Sequence, residues 1–169
     1  MHWPVAINPN GNHEKFPKLP DGSRDLYLDR SHVDTYLDIE KLLRTGKVKA
    51  IGVCNYSVTY LRALLAKSSV VPAVNQIENH PQLPQQEVVD FCKLKGIHVT
   101  AYSPLGSTGS PLMNLLEVKN AAEKHKTSTG TVLLSYYSRY FHRYLWPHSN
   151  SANNSWTLSV SQISHTSSY

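Results

Sequence analysis

Polar residues stand where three short apolar segments end, and their types are the ones most suited to chemistry. They are Cys54-Asn55, Gln76 and Tyr102-Ser103. An Asn or Gln side chain offers both a donor and an acceptor, although an isolated one at a strand end is usually a turn residue. In parallel α/β proteins, sites form where the strands end at their carboxyl termini. If the segments are parallel strands, the sequence predicts a ligand site there.

Metal binding has only weak support in the sequence. Glu78 and His80 are close together, but two ligands do not make a zinc site. The two cysteines, Cys54 and Cys92, are far apart and have no further partners. Both a zinc knuckle and a disulfide framework would need more cysteines. We therefore expect no metal, and two reduced thiols in a cytoplasmic protein.

The elements that must position the polar residues alternate between helix and strand. Apolar residues recur at helical spacing from about residue 35 until Gly46, which supplies a stop. A strand-like segment follows at 47–53, and Ser57 is placed to cap a second helix. The series continues with a strand at 73–78, a helix from 84 to Gly96, a strand at 97–102, and helical stretches at 112–125 and 129–137.

This alternation predicts an α/β protein with a parallel sheet. Short strands separated by helices require crossover connections, which are right-handed. A doubly wound sheet and a (β/α)8 barrel both satisfy that rule. No Gly-x-Gly-x-x-Gly follows any of the strands, which counts against a dinucleotide-binding doubly wound sheet.

The two ends of the chain have a different composition. Residues 5–30 are rich in Asn, Pro, Gly and Asp, which predicts a long loop of the kind that forms lids or substrate walls. After Tyr137 the chain is rich in Ser and Asn and contains neither an acidic residue nor a Gly. We predict a partial domain over 1–137 and an atypical tail over 138–169. The tail is either disordered or, as its bulky aromatic residues favour, translated from sequence that did not evolve as part of this fold.

Composition excludes several classes of protein. With 169 residues, 40% hydrophobic and 17% charged, the chain has an ordinary globular balance. No apolar run approaches the roughly 20 residues needed to span a bilayer, and the N-terminus does not read as a secretory signal. The net charge of +5 is spread among acidic residues rather than clustered. We expect neither a membrane nor a nucleic-acid partner.

Four motifs, in their order and spacing, resemble those of the aldo-keto reductases, and of fungal members in particular. His2-Trp3-Pro4 resembles the motif after the fourth barrel strand, and segments 46–56, 75–81 and 101–107 resemble the fifth, sixth and seventh strands. The resemblance covers residues 1–137. It implies a partial (β/α)8 TIM barrel, roughly strands 4 to 7 with their helices.

The resemblance also implies a function. Aldo-keto reductases are oxidoreductases that use NADP(H) to reduce aldehydes, ketones or sugars to alcohols, and the intact fold is expected to be a monomer. By this likeness His2 would orient and polarise the substrate carbonyl, and Trp3 would line the substrate pocket. Asn55 and Gln76 would bind the nicotinamide carboxamide, and Tyr102 would stack on the nicotinamide ring.

Further cofactor contacts follow from the same resemblance. Cys54 stands where the family usually has Ser, and because a thiol is a weaker hydrogen-bond partner, nicotinamide binding is expected to be looser. Ser103, Leu105 and Ser107 lie in a turn whose backbone amides would cradle the pyrophosphate.

Structural roles are the alternatives for three of these residues. His2 could be a frayed terminal residue without a partner, Trp3 could cover the barrel mouth, and Tyr102 could be a core tyrosine.

Part of the family's catalytic machinery has no counterpart in the sequence. The proton-donating Tyr, its Lys and its Asp belong to the second and third strands, which would precede Met1, and the eighth strand would follow Tyr137. We therefore expect the chain, as a truncated reductase, to be inactive. The alternative is a noncatalytic remnant that binds a nucleotide or a partner, and self-association across open sheet edges would favour it.

Overall fold

The structure, a computed structural model, describes residues 1–145, with side chains through residue 137. The chain divides into two compact units. The first comprises Met1–Ile77 and Gln86–Thr100, and the second comprises Glu78–Gln85 and the described chain from Ala101 onward. Along the described chain, no helix is both long enough and apolar enough to cross a membrane.

Helices and strands alternate in the order that the sequence predicts. In chain order they are α1 His32–Lys41, β1 Val53–Cys54, α2 Val58–Leu65, β2 Val74–Glu78, α3 Gln86–Leu94, β3 His98–Tyr102, α4 Leu116–Lys124 and α5 Thr129–Leu145. The three strands form one sheet in the order β1-β2-β3. Strands β1 and β2 pair in parallel, with Val53 opposite Asn75 and Cys54 opposite Gln76. The predicted α/β class, a partial barrel with a parallel sheet, is confirmed.

Local chemistry sets the helix ends of the first unit. Ser31 and Asp34 form a capping box at the start of α1, and the Ser57 side chain accepts a hydrogen bond from the Tyr60 amide at the start of α2. Gly46 and Gly96, each with φ of 69°, take the left-handed conformation after helical segments. The predicted helix stops are therefore confirmed.

Several boundaries differ from the predicted ones. The segment 47–53 becomes a strand only at Val53, although the carbonyl of Ile51 still accepts a hydrogen bond from Ala73 N at 2.8 Å. The helical stretch 112–125 is divided by Leu115, whose extended ψ of 136° separates a 3-10 turn, Leu112–Asn114, from α4. Helix α5 continues past Tyr137 to Leu145, so the predicted tail begins inside a helix; residues 146–169 lie outside the described part of the chain.

Each unit has its own apolar core. The core of the first unit gathers side chains from α1, β1, α2, β2 and α3, and its most deeply buried members are Tyr36, Tyr56, Leu61, Leu64, Ile77 and Cys92. The core of the second unit is formed mainly by Leu112, Val118, Ala121, Ala122, Val132 and Leu133. Burial of these apolar side chains, and not the short strands alone, holds the strand ends in place.

The loop at residues 5–30 contains neither a helix nor a regular strand, as the sequence predicts. Isolated antiparallel bridges join Ile7 to Leu26 and Lys18 to Arg24. The Asn8 side-chain amide donates to Asp25 Oδ2 at 3.0 Å. Hydrogen bonds between the two halves of the loop therefore give its backbone a defined path.

Candidate cofactor and substrate site

The carboxyl end of β1 carries the most constrained residue of the candidate site. Asn55 has a φ of 63°, in the left-handed region that Asn tolerates better than most residues. Its backbone amide donates to the carbonyl of Gln76 at 2.9 Å. Its side-chain nitrogen donates to the His2 carbonyl at 3.1 Å and to Cys54 Sγ at 3.3 Å. The first unit therefore brings together His2, Cys54, Asn55 and Gln76.

Gln76 presents its side chain to solvent. On β2 it is exposed, whereas its neighbours Asn75 and Ile77 are buried. Alternate residues of a strand point to opposite faces of the sheet, so Gln76 projects from the face opposite to these two. Cys54 lies directly across from Gln76 on β1. The exposed side-chain amide of Gln76, together with the fixed side-chain amide of Asn55, is an arrangement that can bind a planar carboxamide.

The segment His2-Trp3-Pro4 has an anchored backbone and accessible side chains. Pro4 is buried, and the Met1 nitrogen donates to the Gly52 carbonyl at 2.9 Å. His2 and Trp3 are both exposed, with their ring centroids 5.9 Å apart. The imidazole and the indole are thus held near the end of β1 by main-chain contacts, while their rings can reach a ligand.

Burial controls the ionisation of the groups around Asn55. It raises the pKa of the Cys54 thiol, an effect that the N-terminal ammonium partly opposes. It also raises the pKa of Tyr56, whose hydroxyl donates to Met1 Sδ at 3.2 Å. Cys54 therefore presents a neutral thiol at neutral pH, and its sulfur acts as a weak acceptor for the Asn55 amide.

Sequence reasoning missed Asn75 as a residue of this site. It is fully buried, and its side chain bonds to both the amide and the carbonyl of Tyr56. The available signal was its position: on a strand, Asn75 points to the same face as Ile77, which is buried. A buried amide must find hydrogen-bond partners, so the alternation alone predicts a structural bond there.

The second unit contains the residues predicted to contact the remainder of the cofactor. The half-buried Tyr102 ends β3, and its carbonyl accepts from Asn79 N at 3.4 Å. Ser103 has a φ of 50° and begins a turn closed by Gly106 N donating to its carbonyl at 2.8 Å. A second turn is closed by Ser110 N donating to the Ser107 carbonyl at 2.9 Å.

These two turns limit which amides a phosphate can use. The amides of Gly106 and Ser110 are engaged in closing the turns. Leu105 packs against the apolar core of the second unit, which holds the first turn in place. The hydroxyl of Tyr137 donates to the carbonyls of Pro104, at 3.4 Å, and Asn79, and burial raises its pKa to about 12. A phosphate cradle in this turn would have to use other amides.

Glu78 and His80 approach each other but do not form a larger cluster. Glu78 Oε1 and His80 Nε2 are 3.3 Å apart. Among the described residues, no three His, Cys, Asp or Glu side chains come together in a way that could hold a metal ion.

The donor set of the first unit fits the nicotinamide end of a dinucleotide. A carboxamide needs both a donor and an acceptor, and the side chains of Asn55 and Gln76 supply both types on neighbouring strands. Asn55 is fixed by its three hydrogen bonds, and Gln76 is exposed. These chemical properties agree with the roles expected from the motifs.

Comparison with known proteins agrees with the class of protein that the fold and the motifs define. The sequence profile of the Aldo/keto reductase family matches residues 1–165, and the chain belongs to this family. It is similar to the aldose reductase of Schistosoma japonicum, with 34% identity and a TM-score of 0.71, over 80% of this chain and 43% of that one. The family and this likeness imply a (β/α)8 barrel, of which the described chain is a part.

Two curated fungal relatives show the same partial coverage. D-galacturonate reductase of Hypocrea jecorina is 64% identical over 137 residues, which are 81% of this chain and 44% of that protein. Glycerol 2-dehydrogenase (NADP(+)) of Saccharomyces cerevisiae is 41% identical over 144 residues, with 81% and 46% covered. The chain thus spans less than half the length of these relatives.

Proposed function

We propose that this chain forms the nicotinamide-holding and carbonyl-orienting part of an NADP-dependent cytoplasmic reductase that converts small aldehydes, ketones or sugars to alcohols. One observation carries the proposal. The residues that the family motifs assign to the carboxamide, Asn55 and Gln76, are joined by a backbone hydrogen bond of 2.9 Å beside the anchored His2 segment. Because the chain belongs to the family, we interpret this geometry as a site for the nicotinamide carboxamide.

Each residue of the site has a distinct role in this proposal. When bound, NADPH supplies the hydride. Asn55 and Gln76 would hold the carboxamide, and the family motif assigns Tyr102 to stacking on the ring. His2 donates to the carbonyl oxygen and stabilises negative charge there, and Trp3 provides an apolar wall.

The turn after β3 has a separate task at the other end of the cofactor. Amides around Ser103, Leu105 and Ser107 that do not close the turns would contact the pyrophosphate. Cys54 would contribute only a weak hydrogen bond through its thiol. Most of the binding free energy would then come from the two amide side chains and the phosphate contacts.

We further propose that the chain by itself binds the cofactor without turnover. A tyrosine that protonates the oxyanion near neutral pH needs a lowered pKa. Within the described residues, burial instead raises the pKa of Tyr36, Tyr56 and Tyr137. None of these three has the electrostatic surroundings of a proton donor.

The name of one relative suggests which substrate to test first. The D-galacturonate reductase of Hypocrea jecorina is 64% identical over the matched region. A sugar acid is therefore the first candidate substrate, and glyceraldehyde is a simple general aldehyde for comparison. The loop at residues 5–30 would form part of the pocket wall that distinguishes the two.

The test measures binding and turnover separately. NADPH binding to the purified chain is followed by quenching of tryptophan fluorescence, and turnover by the loss of reduced-nicotinamide absorbance with D-galacturonate or glyceraldehyde. We expect binding without turnover. The product of the complete native transcript, assayed in parallel, should reduce at least one of the two. A transcript product that binds NADPH and reduces no carbonyl would contradict the proposed reductase function, and turnover by the chain alone would contradict its inactivity.

A further inference from the structure

Asn75 is the fully buried polar side chain next to the candidate site, and all of its hydrogen-bonding groups are engaged. Its Oδ1 accepts from Tyr56 N at 3.3 Å. Its Nδ2 donates to the Tyr56 carbonyl at 3.0 Å and to Cys92 Sγ at 3.7 Å. One side chain therefore holds the peptide groups on both sides of Tyr56.

The first of those peptide groups is the one that joins Asn55 to Tyr56. Asn55 is thus fixed on both sides by β2. Asn75 holds the peptide group that follows Asn55, and the Gln76 carbonyl accepts a hydrogen bond from the backbone amide of Asn55 at 2.9 Å. This double restraint acts on a residue whose φ of 63° is uncommon for non-glycine residues, although Asn tolerates it better than most.

We propose that Asn75 is the positioning residue of the nicotinamide site and acts through Asn55. The inference rests on the proposed function. By fixing the Asn55–Tyr56 peptide, Asn75 determines where the Asn55 side-chain amide points. Neither Asp nor Leu can replace it, since Asp lacks the donor and Leu lacks both groups.

The test compares Asn75 variants with a control variant in the same buried region. Asn75→Leu removes both bonds to Tyr56 and keeps the branched shape of the side chain, although its methyl groups are bulkier than the amide. Asn75→Ser, which adds no volume, is the milder version should the first fail to fold. Cys92→Ala is the matched control because it removes the sulfur on the other side of Asn75 and leaves the Tyr56 bonds intact. Binding of NADPH and of reduced nicotinamide mononucleotide is measured for each in the full chain.

We expect Asn75→Leu to weaken the binding of both probes about tenfold and Cys92→Ala to change it less than about twofold. Combining Asn75→Leu with Asn55→Gly should bind no more weakly than Asn55→Gly alone, because the first residue acts through the second. Losses of affinity that multiply in the double variant would overturn the inference. Equal losses of affinity in Asn75→Leu and Cys92→Ala, at similar melting temperatures, would also overturn it.

Hydrogen exchange supplies a readout that does not depend on variants. If Asn75 couples Tyr56 to the cofactor site, saturating NADPH must slow exchange of the Tyr56 amide in the wild-type chain. Unchanged exchange in the presence of bound NADPH would contradict the coupling and leave the proposed function standing. A wild-type chain that binds neither probe would instead overturn the cofactor proposal and this inference together.

Discussion

The backbone amide of Asn55, directly after the end of strand β1, donates to the carbonyl of Gln76 in the middle of strand β2 at 2.9 Å. Asn55 and Gln76, which would bind a nicotinamide carboxamide, are thus joined in one ladder of backbone hydrogen bonds. Their spacing is set by the sheet rather than by a flexible loop. A site built on paired strands holds its ligand contacts more rigidly than one built on loops alone.

Asn55 can be separated into its backbone and side-chain roles by two substitutions. Asn55→Gly keeps the left-handed φ of 63° without strain and removes only the side-chain amide. We expect it to fold normally and to weaken NADPH binding by about 3- to 10-fold, the range for one lost hydrogen bond. Fluorescence titration and thermal melting measure the two effects.

Asn55→Ala removes the same amide and adds a strained backbone. We expect the same loss of binding together with a destabilisation of about 1 kcal/mol. Equal melting temperatures for the Gly and Ala variants would contradict the strain, and unchanged NADPH affinity in both would contradict the assigned role of the side chain.

Cys54→Ser restores the hydroxyl that the family usually has at this position. A hydroxyl is a stronger hydrogen-bond partner than a thiol for both the Asn55 amide and a ligand. We therefore expect NADPH to bind more tightly by about 2- to 5-fold, within the free energy of one hydrogen bond. Cys92→Ser makes the same thiol-to-hydroxyl change at a position that does not contact Asn55, and it should leave the NADPH affinity unaltered. Weaker NADPH binding in Cys54→Ser would refute the argument.

Gly52 illustrates a close approach that supports the site. A Cβ at this position would lie 2.9 Å from the Val74 carbonyl oxygen, so a side chain would force β1 and β2 apart. We expect Gly52→Ala to destabilise the chain by about 1–3 kcal/mol, as overpacking does. Gly130→Ala in α5 is the contrast, because its Cβ would meet only ordinary contacts and helix propensity favours Ala by up to about 1 kcal/mol. Urea unfolding of both variants measures the difference.

The sequence predicted the carboxyl ends of the three strands to within one residue because these depend on local patterns, although Gln76 lies in the middle of β2 and not at its end. The strand at 73–78, the capping residue Ser57 and the stop at Gly96 each reflect short-range chemistry, and the structure confirms all three. The division of helix 112–125 at Leu115 was not predictable in this way. The buried Leu112 packs in the core of the second unit, and tertiary packing of this kind overrides helical periodicity.

The same distinction applies to the candidate site. Motifs pointed to Asn55 and Gln76, which lie on neighbouring strands by simple register. The bonds between Asn75 and Tyr56 join residues 19 positions apart, and no local pattern pairs them. The left-handed φ of Asn55 likewise follows from those long-range bonds and from the adjacent strand.

The two buried thiols predict how stability depends on pH. Burial raises the folded-state pKa of both Cys54 and Cys92 above the ordinary value. A group whose folded pKa is raised contributes stability that is fully present below its unfolded pKa, about 8.5, and is lost as the pH rises towards the folded value.

We therefore expect the free energy of unfolding to fall between about pH 8 and pH 9.5, where unfolded thiols ionise. Urea unfolding at several pH values tests this for the wild-type chain, and Cys92→Ala should show a shallower dependence. Alkylation by iodoacetamide at neutral pH should be slow in the native chain and fast in urea. Rapid modification of native Cys54 would show that its thiol is not held in the buried, neutral form.

The measurement that tests the central claim most directly is a nuclear magnetic resonance titration of the side-chain amides with reduced nicotinamide mononucleotide. This ligand carries the carboxamide and lacks the adenosine end, so it reports on the nicotinamide contacts and not on those to the adenosine. The account predicts that the amide signals of Asn55 and Gln76 shift together and saturably, and that this response is lost in Asn55→Gly. Saturable binding that leaves both signals in place would contradict the assignment of the nicotinamide site.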